Sequence, residues 1–369
     1  MVNPSPEVCK RIVAFLSANA TGDLKSLCLT SKAFERAARP VLYRIINLSN
    51  INQTIVFADR IRGNTELGKM ILEFRILSPT QYRMSQQLLD ECSGPYWDSI
   101  LGSLMHMPHL VNLFLYEPML DVLPPIEPVF PFHLERCTVR LAWSDSLIRF
   151  LAAHRALLSL HVYENTDDER GSLPIPQNCW PKLHTFSGPL TSAVELAEGA
   201  APHLRHLYMR LDSATSSTAA YYIPQLEALR PTLRSLRMLP LDPSEDSALD
   251  AISRTFPDLQ YVGTFPLPIV NRVRFFESLS RFHDLRHLQV DISRWRPQPA
   301  SHHLLRGIVS QLKIYATSLR MVTVWVPQGK WMWTYHDGEW ESTADGTLSM
   351  FNCNSWVEEV DLAWMGEST

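Results

Sequence analysis

The side chains with the strongest claim to chemistry in this 369-residue chain are arginines set among aromatic residues. Arg136, Arg140, Arg210 and Arg237 recur near Tyr116, Tyr163, Tyr208 and Tyr261, with His206 between them. A guanidinium takes a carboxylate or phosphate through two parallel N–H bonds, and Arg with Tyr is the composition of an interface centre. That is binding chemistry. Motifs of catalysis are missing from the sequence: there is no phosphate-cradling glycine loop, GxSxG, HExxH or paired-cysteine metal site. His302 and His303 open an expected helix and point in different directions, while His336 and Asp337 sit at an expected turn tip. The expectation is a non-enzymatic binding protein with no cofactor, no metal and no catalytic residue.

The elements that must position these arginines come from a recurring pattern, apolar-x-x-apolar-x-apolar. It reads "LVNLFL" from Leu110, "LERCTV" from Leu134, "LLSLHV" from Leu157, "LHTFSG" from Leu183 and "LRHLYM" from Leu204. It continues as "LRSLRM" from Leu233, "LQYVGT" from Leu259, "LRHLQV" from Leu285, "LRMVTV" from Leu319 and "VEEVDL" from Val357. "ILEFRI" from Ile71 is a further copy. From Leu110 to Leu285 the copies lie 21–29 residues apart, the length of a strand plus a returning helix in a leucine-rich repeat. Gly188 and Thr264 stand where the last apolar residue belongs.

Residues 144–155, 244–256, 271–282 and 302–316 space their apolar residues by three or four, predicting helices between the strands. Ser244 or Asp246 can cap the second of these. In "MPHL", "WPKL", "APHL", "RPTL" and "FPDL" a Pro two residues before the leading Leu ends the helix and admits the strand. Each unit must cover its neighbour's apolar face, and the ends need caps.

The third, fifth and seventh positions of each copy face the open, concave side of such a sheet, because strand side chains alternate. They carry the Arg/Tyr set above together with Phe114 and Phe265, and no acidic residue from Asn112 to Gln289. Asp291, Glu359 and Asp361 carry the opposite sign toward the C-terminal end. The expected partner is a protein segment that is acidic or phosphorylated and carries an apolar anchor. The net charge of −4 argues against a generally basic nucleic-acid binder. Residues 327–345, with Trp331, Trp333 and Tyr335 around Asp337-Gly338, predict an aromatic hairpin that is an end cap or a binding insertion. The polar, Pro-containing stretch 164–178 reads as a surface loop.

The six cysteines are scattered without a CxxC pair, which fits a reducing compartment, the cytoplasm or the nucleus. The first twenty residues lack a basic segment ahead of an apolar one, and no apolar run reaches the ~18 residues of a membrane span.

Before the repeats, Pro6 can start a helix with Val8, Ile12, Phe15 and Leu16 on one face. Asp23 can cap a second helix bearing Leu24, Leu27 and Cys28, and Ser31 a third bearing Phe34 and ended by Pro40. Three such helices enclose little core, so another surface must cover part of their apolar area. At Pro6, Glu7, Val8, Ile12, Leu16, Asp23, Leu24, Leu27, Ser31, Lys32, Phe34, Pro40, Leu42 and Tyr43 the sequence resembles the fungal-type F-box family with C-terminal leucine-rich repeats. It departs from the family pattern at Ser5, at Glu7 directly after Pro6, at Thr30 and in the longer "SANATG" loop.

The resemblance implies an α/β protein: a three-helix F-box over 5–48, then a leucine-rich-repeat solenoid over 49–369 with its parallel sheet on the concave face. It implies docking of Pro6, Val8, Ile12, Leu16, Leu24, Leu27 and Phe34 on a Skp-type adaptor, and through it on a cullin. The repeats then hold an unidentified substrate for ubiquitylation, at Tyr116, Arg136, Arg140, Tyr163, His206, Tyr208, Arg210, Arg237 and Tyr261. The alternative is a repeat-based interaction scaffold with no ligase role.

Overall fold

The computed structural model describes residues 4–16, 20–77, 86–116, 130–163, 175–211, 218–239, 246–299 and 301–345. The chain divides into two compact units, Met1–Gly171 and Ser172–Thr369. Both are mixed α/β, and among the described residues the thirteen strands are mostly parallel. The expected strand from Val357, with Glu359 and Asp361, and most of the loop 164–178 lie outside the described residues.

The first unit runs α1 (Pro6–Ala14), α2 (Thr21–Thr30), α3 (Lys32–Leu42), β1 (Ile45–Leu48), α4 (Ile51–Arg62), α5 (Thr65–Gly68) and β2 (Glu73–Leu77). It continues with α6 (Gln86–Leu104), β3 (Asn112–Tyr116), β4 (Arg136–Val139), α7 (Asp145–Ala152) and β5 (Ser159–Val162). Strands β1 to β5 pair in parallel and in chain order, with Phe74 beside Leu113, Leu113 beside Cys137 and Cys137 beside Leu160. Side-chain caps start the helices: Asn50 Oδ1 accepts from Gln53 N at 2.8 Å, and Ser144 Oγ from Leu147 N at 3.3 Å. In β3 the alternation is clean, with Leu113 and Leu115 buried and Asn112, Phe114 and Tyr116 half-buried.

The second unit runs β6 (Thr185–Pro189), α8 (Leu190–Ala197), β7 (His206–Arg210), α9 (Ala219–Tyr222) followed by a 3₁₀ segment (Ile223–Leu229), and β8 (Ser235–Leu239). Then come α10 (Asp246–Thr255), β9 (Tyr261–Pro266), α11 (Val273–Ser280), β10 (His287–Asp291), α12 (His302–Tyr315) and β11 (Met321–Val326). The last two strands are β12 (Gly329–His336) and β13 (Glu339–Asp345). Strands β6 to β11 pair in parallel and in order, and β12 and β13 add an antiparallel hairpin to β11. Asp337 and Gly338 both take positive φ at its tip, as a two-residue hairpin turn with right-handed strand twist requires. Trp333 is fully buried, with the His302 ring stacked 4.5 Å from it, so the hairpin packs on the start of α12.

The prolines act at a finer scale than helix termination. In "MPHL", "WPKL", "APHL" and "FPDL" the leading Leu amide (Leu110, Leu183, Leu204, Leu259) donates to the carbonyl three residues back at 3.1–3.4 Å. Pro thus holds the second position of a β-turn, where its fixed φ is already correct. Pro40 does not end α3, which reaches Leu42; in the last turn its missing N–H removes one bond and Tyr43 N still reaches Arg39 O at 3.1 Å. Likewise Asp23 lies inside the first turn of α2 rather than at its cap, Ala20, where no side chain bonds the helix.

The two imperfect repeat copies have a steric cause. A Cβ on Gly188 would stand 2.5 Å from Phe186 Cζ, because the Phe186 ring lies along the strand over Gly188. A Cβ on Gly263 would stand 2.6 Å from the Tyr261 hydroxyl. A register shift follows in β9: Phe265, not Thr264, pairs with Val290 and is buried with it. Phe265 therefore leaves the sheet face on which the sequence placed it, and Thr264 Oγ1 donates instead to Gln289 Oε1 at 3.0 Å.

Candidate functional site

Two surfaces carry the sequence-derived candidates, one in each kind of element. The first is the helical trio. Ser5 Oγ accepts from Val8 N at 3.4 Å to start α1, with Pro6 in the first turn, and Ser31 Oγ accepts from Phe34 N at 3.3 Å to start α3. The trio has a small core of its own, Val13, Leu24 and Ala38, with Leu16, Leu27, Cys28, Phe34 and Leu42 packed against it.

That core divides the expected docking residues. Pro6, Val8 and Ile12 are exposed, the last two at 46% and 42%. Leu24 is 0% exposed, so it is not a surface residue, and Leu16, Leu27 and Phe34 are partly buried against it. The correction follows from helix geometry: Val13 and Leu16 turn inward on α1, while Val8, Ile12 and Phe15 share the outward face at i, i+4 and i+7. Phe15 and Leu29 are each 89% exposed. Phe15 was legible in the apolar stripe without being singled out; Leu29 had no signal beyond its type.

The second surface is the sheet face bearing the arginines. In the first unit it is accessible. Arg136 is exposed, and Arg140, Tyr116 and Tyr163 are half-buried. Tyr116 and Tyr163 meet edge to face at 5.4 Å, with the Arg140 guanidinium over Tyr116 at 5.4 Å. Asn112 Nδ2 donates to Glu73 Oε2 at 3.0 Å, and Glu73 also pairs with Arg75, so β2 brings a carboxylate to this face.

In the second unit the same face is closed. His206, Tyr208, Arg237 and Tyr261 are 6%, 2%, 2% and 1% exposed, and only Arg210 is half-buried. Equivalent positions on parallel strands stack about 4.8 Å apart, so large side chains cover one another. Arg237 lies over the Tyr208 ring at 5.3 Å, and Tyr261 meets His287 edge to face at 4.9 Å. His206 Nδ1 and Ser235 Oγ are 2.8 Å apart. The expectation of an open Arg/Tyr groove is therefore corrected for His206, Tyr208, Arg237 and Tyr261: they form a polar and aromatic layer inside the second unit.

Three hydroxyl–imidazole pairs recur on this face: Ser159–His161 at 2.9 Å, His206–Ser235 at 2.8 Å and His287–Thr323 at 3.0 Å. A nucleophile and its base stand at that distance, but the base also needs an orienting group. His161 and His287 leave Nδ1 without one. Burial pushes the His161 imidazole down to about 4 and His287 to about 3, where Lys330 and Arg237 add to the effect. These pairs read as packing contacts. Among the described residues no group of three metal-ligating side chains comes together. The described cysteines Cys9, Cys28, Cys137 and Cys179 are not in disulfides, and burial raises Cys137 to about 12, far from a reactive thiolate. No helix among the described residues is long and apolar enough to cross a membrane.

No family model matches the chain. No curated protein matches it either.

Proposed function

We propose that this chain is the substrate-receptor subunit of a Skp–cullin–F-box ubiquitin ligase, acting in the cytoplasm or nucleus. The helices α1–α3 dock on the Skp-type adaptor, and the strand–helix repeats hold the protein to be ubiquitylated. One observation carries the reading: Val8, Ile12, Phe15 and Leu29 stand exposed on a trio of short helices whose own core is already filled by other residues. An apolar helix face left in water at a chain's small accessory unit is the mark of a partner surface. The motif resemblance names the partner, and the repeats supply the complementary half of a receptor. The docking set is accordingly Pro6, Val8, Ile12, Phe15 and Leu29, with Leu16, Leu24, Leu27 and Phe34 supporting it from beneath.

On the substrate side, Arg136, Arg140, Tyr116 and Tyr163 of the first unit remain accessible for an acidic or phosphorylated segment. Co-elution of the full chain with purified Skp-type adaptor on size exclusion tests the proposal. A folded chain that elutes apart from the adaptor removes the ligase role and leaves a repeat scaffold.

A further inference from the structure

A further position recurs in every repeat: the residue directly after the leading Leu, just before each strand. In the second unit it reads His184, Arg205, Arg234, Gln260, Arg286 and Arg320. From Arg205 onward the amide of each donates to the carbonyl of the one before it at 2.8–2.9 Å. The six side chains therefore form a row along the strands' N-terminal ends, one rung every ~4.8 Å.

Along this row the charges are handled in two ways. At β10 the charge is neutralised: Asp284 accepts from Arg286 Nε at 3.1 Å, and also from Gln260 Nε2 at 3.0 Å. At β7 and β8 it is not. Among the described residues, neither Arg205 nor Arg234 has a carboxylate partner; Arg234 Nη1 only reaches its neighbour's carbonyl, Leu233 O, at 3.3 Å. The two arginines line a cleft of about 380 Å³ with His203, Pro231, Thr232 and Gln260. His184 feels the same field: burial lowers its pKa first, then the nearby Arg205 and His203. Two guanidiniums on adjacent rungs repel each other, and a fold that gives Arg286 a carboxylate but gives these two none leaves a place for an outside anion.

We propose that the Arg205–Arg234 cleft is a binding site for a phosphoryl group carried on a protein segment. A phosphoryl group brings nearly two charges and three acceptor oxygens, enough for both forks and His203 at once. The lining holds no Phe, Tyr or Trp, so nucleotide bases lack a large stacking platform there, which favours a phosphopeptide over single-stranded nucleic acid. The site does not depend on adaptor docking, and a scaffold would use it equally.

The test needs no adaptor. A fluorescein-labelled peptide with two phosphoserines one residue apart is titrated into the full chain by anisotropy, beside its unphosphorylated form and an oligothymidylate of equal charge. The phosphopeptide should bind at least tenfold more tightly than either. Arg205→Ala with Arg234→Ala should weaken it at least tenfold with the thermal melt unchanged, whereas Arg254→Ala on α10 should leave it within twofold. A double variant that unfolds is replaced by Arg205→Ala alone, an exposed side chain, with at least a threefold loss expected. Equal binding of the three probes, preference for the oligonucleotide, or equal losses in the Arg254→Ala control would each overturn the site.

Discussion

Gly188→Ala is the sharpest probe of how the repeats tolerate their own exceptions. The added Cβ falls 2.5, 3.0 and 3.3 Å from Phe186 Cζ, Cε1 and Cε2, when ordinary contact begins near 3.4 Å. The ring must retreat by about 1 Å, and Phe186 is fully buried, so the strain falls on a packed core. Overpacking of this kind costs about 1–3 kcal/mol. In a unit the size of Ser172–Thr369 each kcal/mol moves the melting temperature by roughly 2–4 °C, giving a drop of about 4–8 °C at mid-range. The assay is calorimetric melting of four chains: wild type, Gly188→Ala, Phe186→Leu and the double variant. Phe186→Leu alone opens a small cavity, but in the double variant the smaller side chain removes the clash. The pair should therefore be less destabilised than the sum by about 0.5–3 kcal/mol. A neutral Gly188→Ala, or strict additivity, would show that Gly188 is not there for the Phe186 ring.

Two further outcomes follow from burial. His154 and His161 in the first unit and His206 in the second are held at about 4, and His287 at about 3, in each case chiefly because burial disfavours the imidazolium. As pH falls from 6.5 toward 4 the unfolded chain takes up these protons and the folded chain does not. Stability is thus intact above pH 6.5 and declines below it by up to about 1.4 kcal/mol per pH unit per histidine. The urea midpoint should drop steeply between pH 7.5 and 5, and a flat midpoint refutes it. The second outcome separates the two arginine environments: Arg237→Glu places a carboxylate in the buried layer over Tyr208 and should lower the melting temperature of the second unit by roughly 5 °C or more, while Arg136→Glu, exposed on β4, should shift it by less than about 2 °C. Equal shifts would contradict the closed face.

Much of this architecture was written in the sequence because one physical requirement repeats. The apolar-x-x-apolar-x-apolar pattern located β2 to β11, since each strand must bury the same alternate positions. The hairpin at Asp337-Gly338 was legible because only certain residues accept its backbone angles. Exposure was not legible. Tyr208 and Arg237 occupy the same repeat position as Phe114, and Tyr261 the same as Arg136, yet they are buried while Phe114 is half-buried and Arg136 exposed. That difference depends on which large side chains meet across neighbouring strands, a relation between residues about 25 apart that periodicity does not carry. The same limit applied to α1 and α2: the stripe was visible, but Leu24 and Leu29 could be assigned to inside and outside only once three helices were packed together. The Arg205–Arg234 pair escaped notice because the second repeat position belongs to neither face of the sheet.

The docking claim is tested most directly by isothermal titration of the full chain with purified Skp-type adaptor, using wild type and Ile12→Asp with Phe15→Asp. Phe15 is 89% and Ile12 42% exposed and neither belongs to the core of the helical trio, so the double variant should melt within about 2 °C of wild type. If the exposed face of α1 docks, wild type binds and the variant loses at least a hundredfold, about 2.7 kcal/mol. A folded wild-type chain that does not bind, or a variant that binds as wild type does, would contradict the assignment of these helices to the adaptor.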